Sequence, residues 1–221
     1  MHTETHKAYK GLGMEGWIAK WYTSTTRRDM QEFQRLARTI ASGLPRGSKI
    51  LEVAPGPGFL AIELAKAGNF EVTGLDISKT FVEIASNNAA REGVRIDFQR
   101  GNASAMPFEH GLFDRVICRA AFKNFAQPVQ ALQEMRRVLK KNGKALVIDL
   151  RKDAPIESIE TYVDGLQLSL PSSLFTKWSF RLMLLKRAYT NSQFSEFVAQ
   201  SGFRSSDIQI ADVGFQAWML K

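Results

Sequence analysis

Glu52, Gly56, Gly58 and Asp76 are the residues of this 221-residue chain whose types and spacing carry the most chemistry. Glu52 lies one residue before the end of the apolar run Lys49-Ile-Leu-Glu-Val53, so a strand delivers a carboxylate to the start of a turn. That carboxylate suits an ammonium group, or it organises the loop by accepting backbone N–H groups. A side chain at Gly56 or Gly58 would keep backbone from approaching a ligand. Pro55 and Pro57 stiffen the turn and push Ala54 and Gly56 toward extended conformations. Asp76 ends a second strand, Phe70–Asp76, where it either accepts from ribose hydroxyls or caps the helix beginning near Ser78.

The turn by itself has two readings. Gly56-Pro-Gly-Phe-Leu-Ala61 satisfies G-x-G-x-x-A, and Asp76 follows about twenty residues on, as in NAD-binding units. The order of later landmarks favours another nucleoside ligand. A third strand, Val94–Phe98, runs into Gly101-Asn-Ala-Ser-Ala-Met-Pro-Phe108, and a fourth spans Gly111–Cys118. In this order and spacing, residues 49–150 resemble the class I S-adenosylmethionine (SAM) dependent methyltransferases, in particular the small-molecule and ubiquinone/menaquinone-type group. Ala54 stands where that family usually has its first glycine, and Asn102 stands where it has aspartate.

The resemblance implies a Rossmann-like, doubly wound α/β fold: a seven-stranded, mostly parallel sheet with an antiparallel C-terminal strand and a helical cover. It implies SAM as cofactor, held by Tyr22, Glu52, Ala54, Gly56, Gly58, Asp76, Ile77, Asn102, Ala103, Met106 and Arg119. Tyr22 would serve the methionyl end, Asp76 the ribose, and Asn102-Ala103 the adenine, whose exocyclic amine an amide oxygen can accept. A small acceptor would lie beyond the C-terminal ends of the strands, walled by Trp17, Phe122, Lys123, Arg151 and Trp178. Each aromatic among them has core packing as its plain alternative. Methyl transfer from an activated sulfonium needs alignment and exclusion of water more than acid–base machinery. His2 and His6 lie in the tail and His110 in a polar turn, so Lys123 and Asp149 are the remaining catalytic candidates. Cations near the mouth suit an anionic, partly apolar acceptor, or else they form salt bridges to Asp149 or Asp153.

The supporting elements follow from pattern. Phe33, Leu36, Ala37 and Ile40 repeat at helical spacing. Phe59–Ala67, Ser78–Arg91, Pro128–Lys141 and Asn191–Ser201 also read as helices, and Lys144–Leu150 as a buried central strand. Residues 153–188 look like two helices separated by Pro171, and Ile208–Ile210 with Phe215–Leu220 like a closing antiparallel pair. The whole reads as one methyltransferase domain, with an N-terminal cover over 1–48, a core over 49–150, a lid over 153–188 and a closing unit over 189–221.

The net charge is +8, of which +7 falls in residues 111–152, largely at the end of the helix before strand five. That placement reads as a solvated face opposite the ligand mouth, although basic surface also supplies sequence-independent affinity for RNA. Cys118 is the only cysteine, so an intramolecular disulfide is excluded and a reducing cytoplasm is the expected location. No apolar run is long enough to insert in a membrane. Three readings stand beside the small-molecule methyltransferase: an RNA methyltransferase, a NAD-binding oxidoreductase and a non-catalytic SAM-binding protein. Oligomeric state is left open.

Overall fold

A computed structural model of the chain describes residues 9–10, 13–27, 30–165 and 185–221. Seven strands form one sheet in the order β3-β2-β1-β4-β5-β7-β6. They are β1 (Lys49–Val53), β2 (Glu71–Asp76), β3 (Asp97–Arg100), β4 (Phe113–Arg119), β5 (Leu139–Leu150), β6 (Ser205–Ile210) and β7 (Gly214–Leu220). The first five run parallel, and β7 is antiparallel to both β5 and β6. The strand order reverses between β1 and β4, so the C-terminal ends of β1, β2 and β4 open a crevice at that switch.

The helices cover both faces. α1 (Gly16–Thr26) and α2 (Met30–Ala41) precede the sheet, α3 (Phe59–Ala67) follows β1, and α4 (Lys79–Arg91) follows β2. α5 (Pro128–Val138) precedes β5, α6 (Ile156–Gly165) follows it, and α7 (Asn191–Ser201) leads into β6. One core cluster lies under α2 and α3, where Phe33, Ile40, Leu60 and Leu64 meet Ile50, Ile117 and Leu146. The other lies under α5 and α7, where Leu132, Met135 and Phe194 meet Val116, Val147 and Phe215. A strand buried on both faces needs apolar residues at successive positions, and Ala145, Leu146 and Val147 supply them.

Local chemistry sets the element ends. Ser78 caps α4 by accepting from the Phe81 N–H, and Thr190 with Gln193 closes a reciprocal capping box on α7. The helix expected over Pro128–Lys141 stops at Val138. Leu139 is fully buried and pairs with Phe113 on β4, so its burial in the sheet overrides helix continuation. The chain then swings out through Asn142, at φ 63°, before pairing resumes at Lys144 with Arg115. The third strand also falls later than its apolar pattern suggested, at Asp97–Arg100, where it pairs with Thr73–Asp76. Of the expected lid, α6 docks Ile159 and Val163 against Val213 and Leu150. The break at Pro171 and Trp178 lie outside the described residues.

Gly58 tests how tightly the first turn is built. Its φ is +79°, and a Cβ there would lie 2.9 Å from both Ala85 Cβ and Phe98 Cζ. Gly58→Ala should therefore lower the unfolding free energy by about 2 kcal/mol or more. Gly93→Ala has a similar φ of +67° but open space around it, and should cost only about 1 kcal/mol. Urea midpoints of the two variants measure the difference.

Candidate active site

The turn after β1 is held from three directions. Asp76, at the end of β2, is buried and accepts from the Gly56 N–H through Oδ2 (3.0 Å) and the Ser78 N–H through Oδ1 (2.9 Å). Asn88 on α4 donates to the Pro57 carbonyl at 2.9 Å. Tyr22 on α1 lies over the glycines: a Cβ on Gly56 would sit 3.8 Å from its ring, which also meets Phe81 edge-on. The turn differs from the expected extended path at Ala54 and Gly56, whose φ values are 55° and 56°. Ala54 thus adopts the left-handed conformation that glycine takes without strain, at a cost of roughly 1 kcal/mol. Ala120, after β4, is the second alanine so held, at φ 57°.

Glu52 supplies the site's electrostatic singularity. It is buried and accepts from the Ala61 N–H in the first turn of α3, but its Oε2 has no hydrogen-bond partner. Loss of solvent pushes its pKa up to about 8, against a smaller opposing pull from Arg119. Burial likewise lifts Asp76 to about 6, despite the N–H groups of Ser78 and Gly56. A buried acid with an unpartnered oxygen, beside the left-handed turn through Gly56 and Gly58, fits a ligand that brings its own ammonium. Asp76 fits hydroxyl donors, and Ile77, 38% exposed beside it, offers an apolar edge to a flat base. These residues therefore suit SAM.

The remaining expected contacts fall unevenly. Asn102 accepts the Ser104 N–H at 2.9 Å, and Ala103 is half-buried next to it. Met106 is packed in the core. Arg119 pairs with Glu32 of α2 at 2.8 Å and lies 4.5 Å over the Phe33 ring, tying α2 to the mouth. Lys123 and Asp149 are buried together at 2.9 Å, and Lys123 also donates to the Ala120 carbonyl. Asp149 further accepts the Lys123 and Leu150 N–H groups. The salt-bridge alternative thus holds for this pair: each side chain is buried and engaged by the other. Arg151 faces Asp153 at 3.6 Å. Phe122 is no pocket wall but core, packed on Phe125, Tyr189 and Phe194. Trp17 points into solvent, 77% exposed on the outside of α1.

Tyr9 and Arg187 escaped sequence reading. Tyr9 bridges to Phe125, and burial raises its pKa. Arg187, Asp76, Tyr22 and Asp149 are all within its electrostatic reach. Lys10 anchors this segment, with its N–H on the Asn124 carbonyl and its ammonium on the Tyr189 hydroxyl. A polar tail without periodicity carries no signal that it pairs with the loop after β4.

The "Methyltransferase domain" family matches residues 50–143. The demethylmenaquinone methyltransferase of Chlorobaculum parvum is 30% identical over 73% of this chain and 68% of its own length. The chain belongs to the class I SAM-dependent methyltransferases of the ubiquinone/menaquinone type. SAM is accordingly its cofactor. The ubiquinone/menaquinone biosynthesis C-methyltransferase of Geotalea uraniireducens is 35% identical over 47% of this chain and 46% of its own length. The chain spans about half the length of several other curated relatives that it matches. The fold matches a putative SAM-dependent methyltransferase of Methanococcus maripaludis with TM-score 0.75, at 22% identity over 96% of this chain and 95% of the other.

Two expectations follow for this methyltransferase. An ammonium at Glu52 lowers its pKa from about 8, so binding below that pH must release a proton. Affinity for S-adenosylhomocysteine should rise up to about tenfold per pH unit and level off above pH 8. Glu52→Gln should flatten this slope, and calorimetry in buffers of different ionisation enthalpy counts the protons. Lys123→Met should destabilise the protein by about 3–5 kcal/mol, because Asp149 is left buried and unpaired. The double variant with Asp149→Asn should recover part of that loss in urea unfolding.

Proposed function

We propose that the protein transfers a methyl group from SAM to a small, partly apolar acceptor of the phenol or quinol class, at a ring carbon. The observation that carries the cofactor half is the buried, unpartnered Glu52 oxygen beside the Gly56–Gly58 turn that Tyr22 covers. When bound, SAM supplies an already activated methyl group. The chain's part is then to grip, align and keep water out. Glu52 takes the ammonium, Asp76 the ribose hydroxyls, and Ile77 with Asn102 and Ala103 the base. Tyr22 lies over the turn and shields it from solvent.

For the acceptor, the support comes from the second side of the mouth. Tyr9 and Tyr22 supply aromatic surface there, and the Arg187 charge acts on Tyr9. A guanidinium favours a phenolate, and a phenolate ring carbon is more nucleophilic than that of the neutral phenol. The relatives named for demethylmenaquinone and ubiquinone/menaquinone point to the same acceptor class.

The test is direct. S-adenosylhomocysteine should bind in the micromolar range and NAD should give no heat. Asp76→Asn should weaken S-adenosylhomocysteine binding roughly tenfold. Turnover of short-tailed hydroquinones, followed by mass spectrometry, should show a methyl on carbon. Arg187→Met should raise the acceptor KM at least about fivefold and leave cofactor affinity unchanged. NAD binding without SAM-product binding would remove the assignment, and methylated RNA without methylated quinol would replace the acceptor.

A further inference from the structure

Trp17 and Trp21 sit one turn apart on α1 and are 77% and 57% exposed. They crown the face opposite Ala19, which is fully buried, and Tyr22, which lies on the glycine turn. Two solvated indoles side by side are costly for a freely soluble surface, and Trp is the residue that prefers a lipid–water interface. No acidic residue occurs between Gly16 and Thr26. The adjacent carboxylate, Glu15, is engaged by the Lys79 and Thr80 N–H groups.

The flank of the same helix supplies a second, independent feature. A groove of about 270 Å³ separates α1 from α4, and Lys20, Arg27 and Arg91 converge on it. Among the described residues none of the three forms an ion pair. Thr23, Ser24 and Asn87 add polar groups to the lining. The groove adjoins a hollow of about 100 Å³ that shares Arg27, Asn88 and Arg91 and is walled by Met30, Phe59 and Ile62, with Glu92, already paired to Lys66, at its edge. A cationic mouth next to an apolar recess matches the headgroup and first carbons of an anionic phospholipid.

We propose that α1 docks the protein on an anionic lipid surface, with Trp17 and Trp21 in the interface and a lipid phosphate held by Lys20, Arg27 and Arg91. No helix among the described residues is long and apolar enough to span a membrane, so this is attachment in the plane of the interface. The docked helix is the one that covers the cofactor turn, and Asn88, in the groove, bonds the Pro57 carbonyl. Docking by the outer face of that helix brings the protein to the surface where an apolar acceptor concentrates. That purpose rests on the acceptor reading above; the docking itself does not.

The experiment uses the full chain and vesicles of phosphatidylcholine with or without phosphatidylglycerol. Cosedimentation should be at least about tenfold stronger on the anionic vesicles, weaken with salt, and shift Trp emission to the blue. Trp17→Ser with Trp21→Ser should reduce binding at least about tenfold. Lys20→Gln, Arg27→Gln and Arg91→Gln should each reduce it about fivefold. S-adenosylhomocysteine affinity and thermal midpoint should stay at wild-type values in all of these. Absent binding, equal binding to both vesicle types, variants that bind like wild type, or a Trp-dependent dimer in place of lipid binding would each overturn the proposal. Turnover of a water-soluble, short-tailed hydroquinone without vesicles is read separately, and its failure removes the acceptor reading while vesicle binding stands.

Discussion

The active site depends on a left-handed glycine turn after β1 that does not hold its shape by itself. A turn with φ above 50° at Ala54, Gly56 and Gly58 has few internal hydrogen bonds of its own, so its neighbours must hold it. Asp76 does this from β2, and Asn88 from α4. Parallel pairing places Asp76 beside the turn, because Val53 stands opposite Leu75 in the β1–β2 register. Gly74 extends the same requirement one layer down: a Cβ there would collide with the Phe98 ring. The ring of Phe98 fills that space and supports Pro55 and Gly58 from below. Strand order, two helices and a core aromatic thus converge on five residues.

Charge in this protein is mostly spent on holding elements together. Lys123 and Asp149 join the exits of β4 and β5 in a buried pair, and Arg119 reaches Glu32 across to α2. Arg137 grips Glu134 and the carbonyls of Met106 and Phe108, and Lys140 binds Asp114. Much of the basic segment over 111–152 is therefore structural. The exception with consequence is Glu52, an acid left incomplete inside the protein. Such a group disfavours the ionised empty state: stability it contributes below its ordinary pKa of 4.5 is lost as pH rises through about 8. A ligand's ammonium restores the balance, so burial that weakens the empty protein becomes selectivity for a cationic ligand.

The sequence by itself determined the elements whose signals are local. Glycine spacing, the strand carrying Glu52, the helix over Phe59–Ala67 and the capped helix after Ser78 depend on residues close in the chain, and they form where they were read. So did the α/β order and the antiparallel close, since alternating apolar runs leave few other packings. Tertiary structure decided which charged and aromatic groups remain available. Phe122 looks like a pocket wall until Phe194, more than seventy residues on, is packed against it. Lys123 looks like an acceptor ligand until Asp149 is buried beside it. Tyr9 carries no signal until its segment pairs with Phe125, and Arg187 none until it comes near that tyrosine. Trp17 reads as cover until the fold turns it to solvent. Each outcome is a contact between residues remote in sequence, and the energy of burying or pairing a side chain is set by partners that local pattern does not encode.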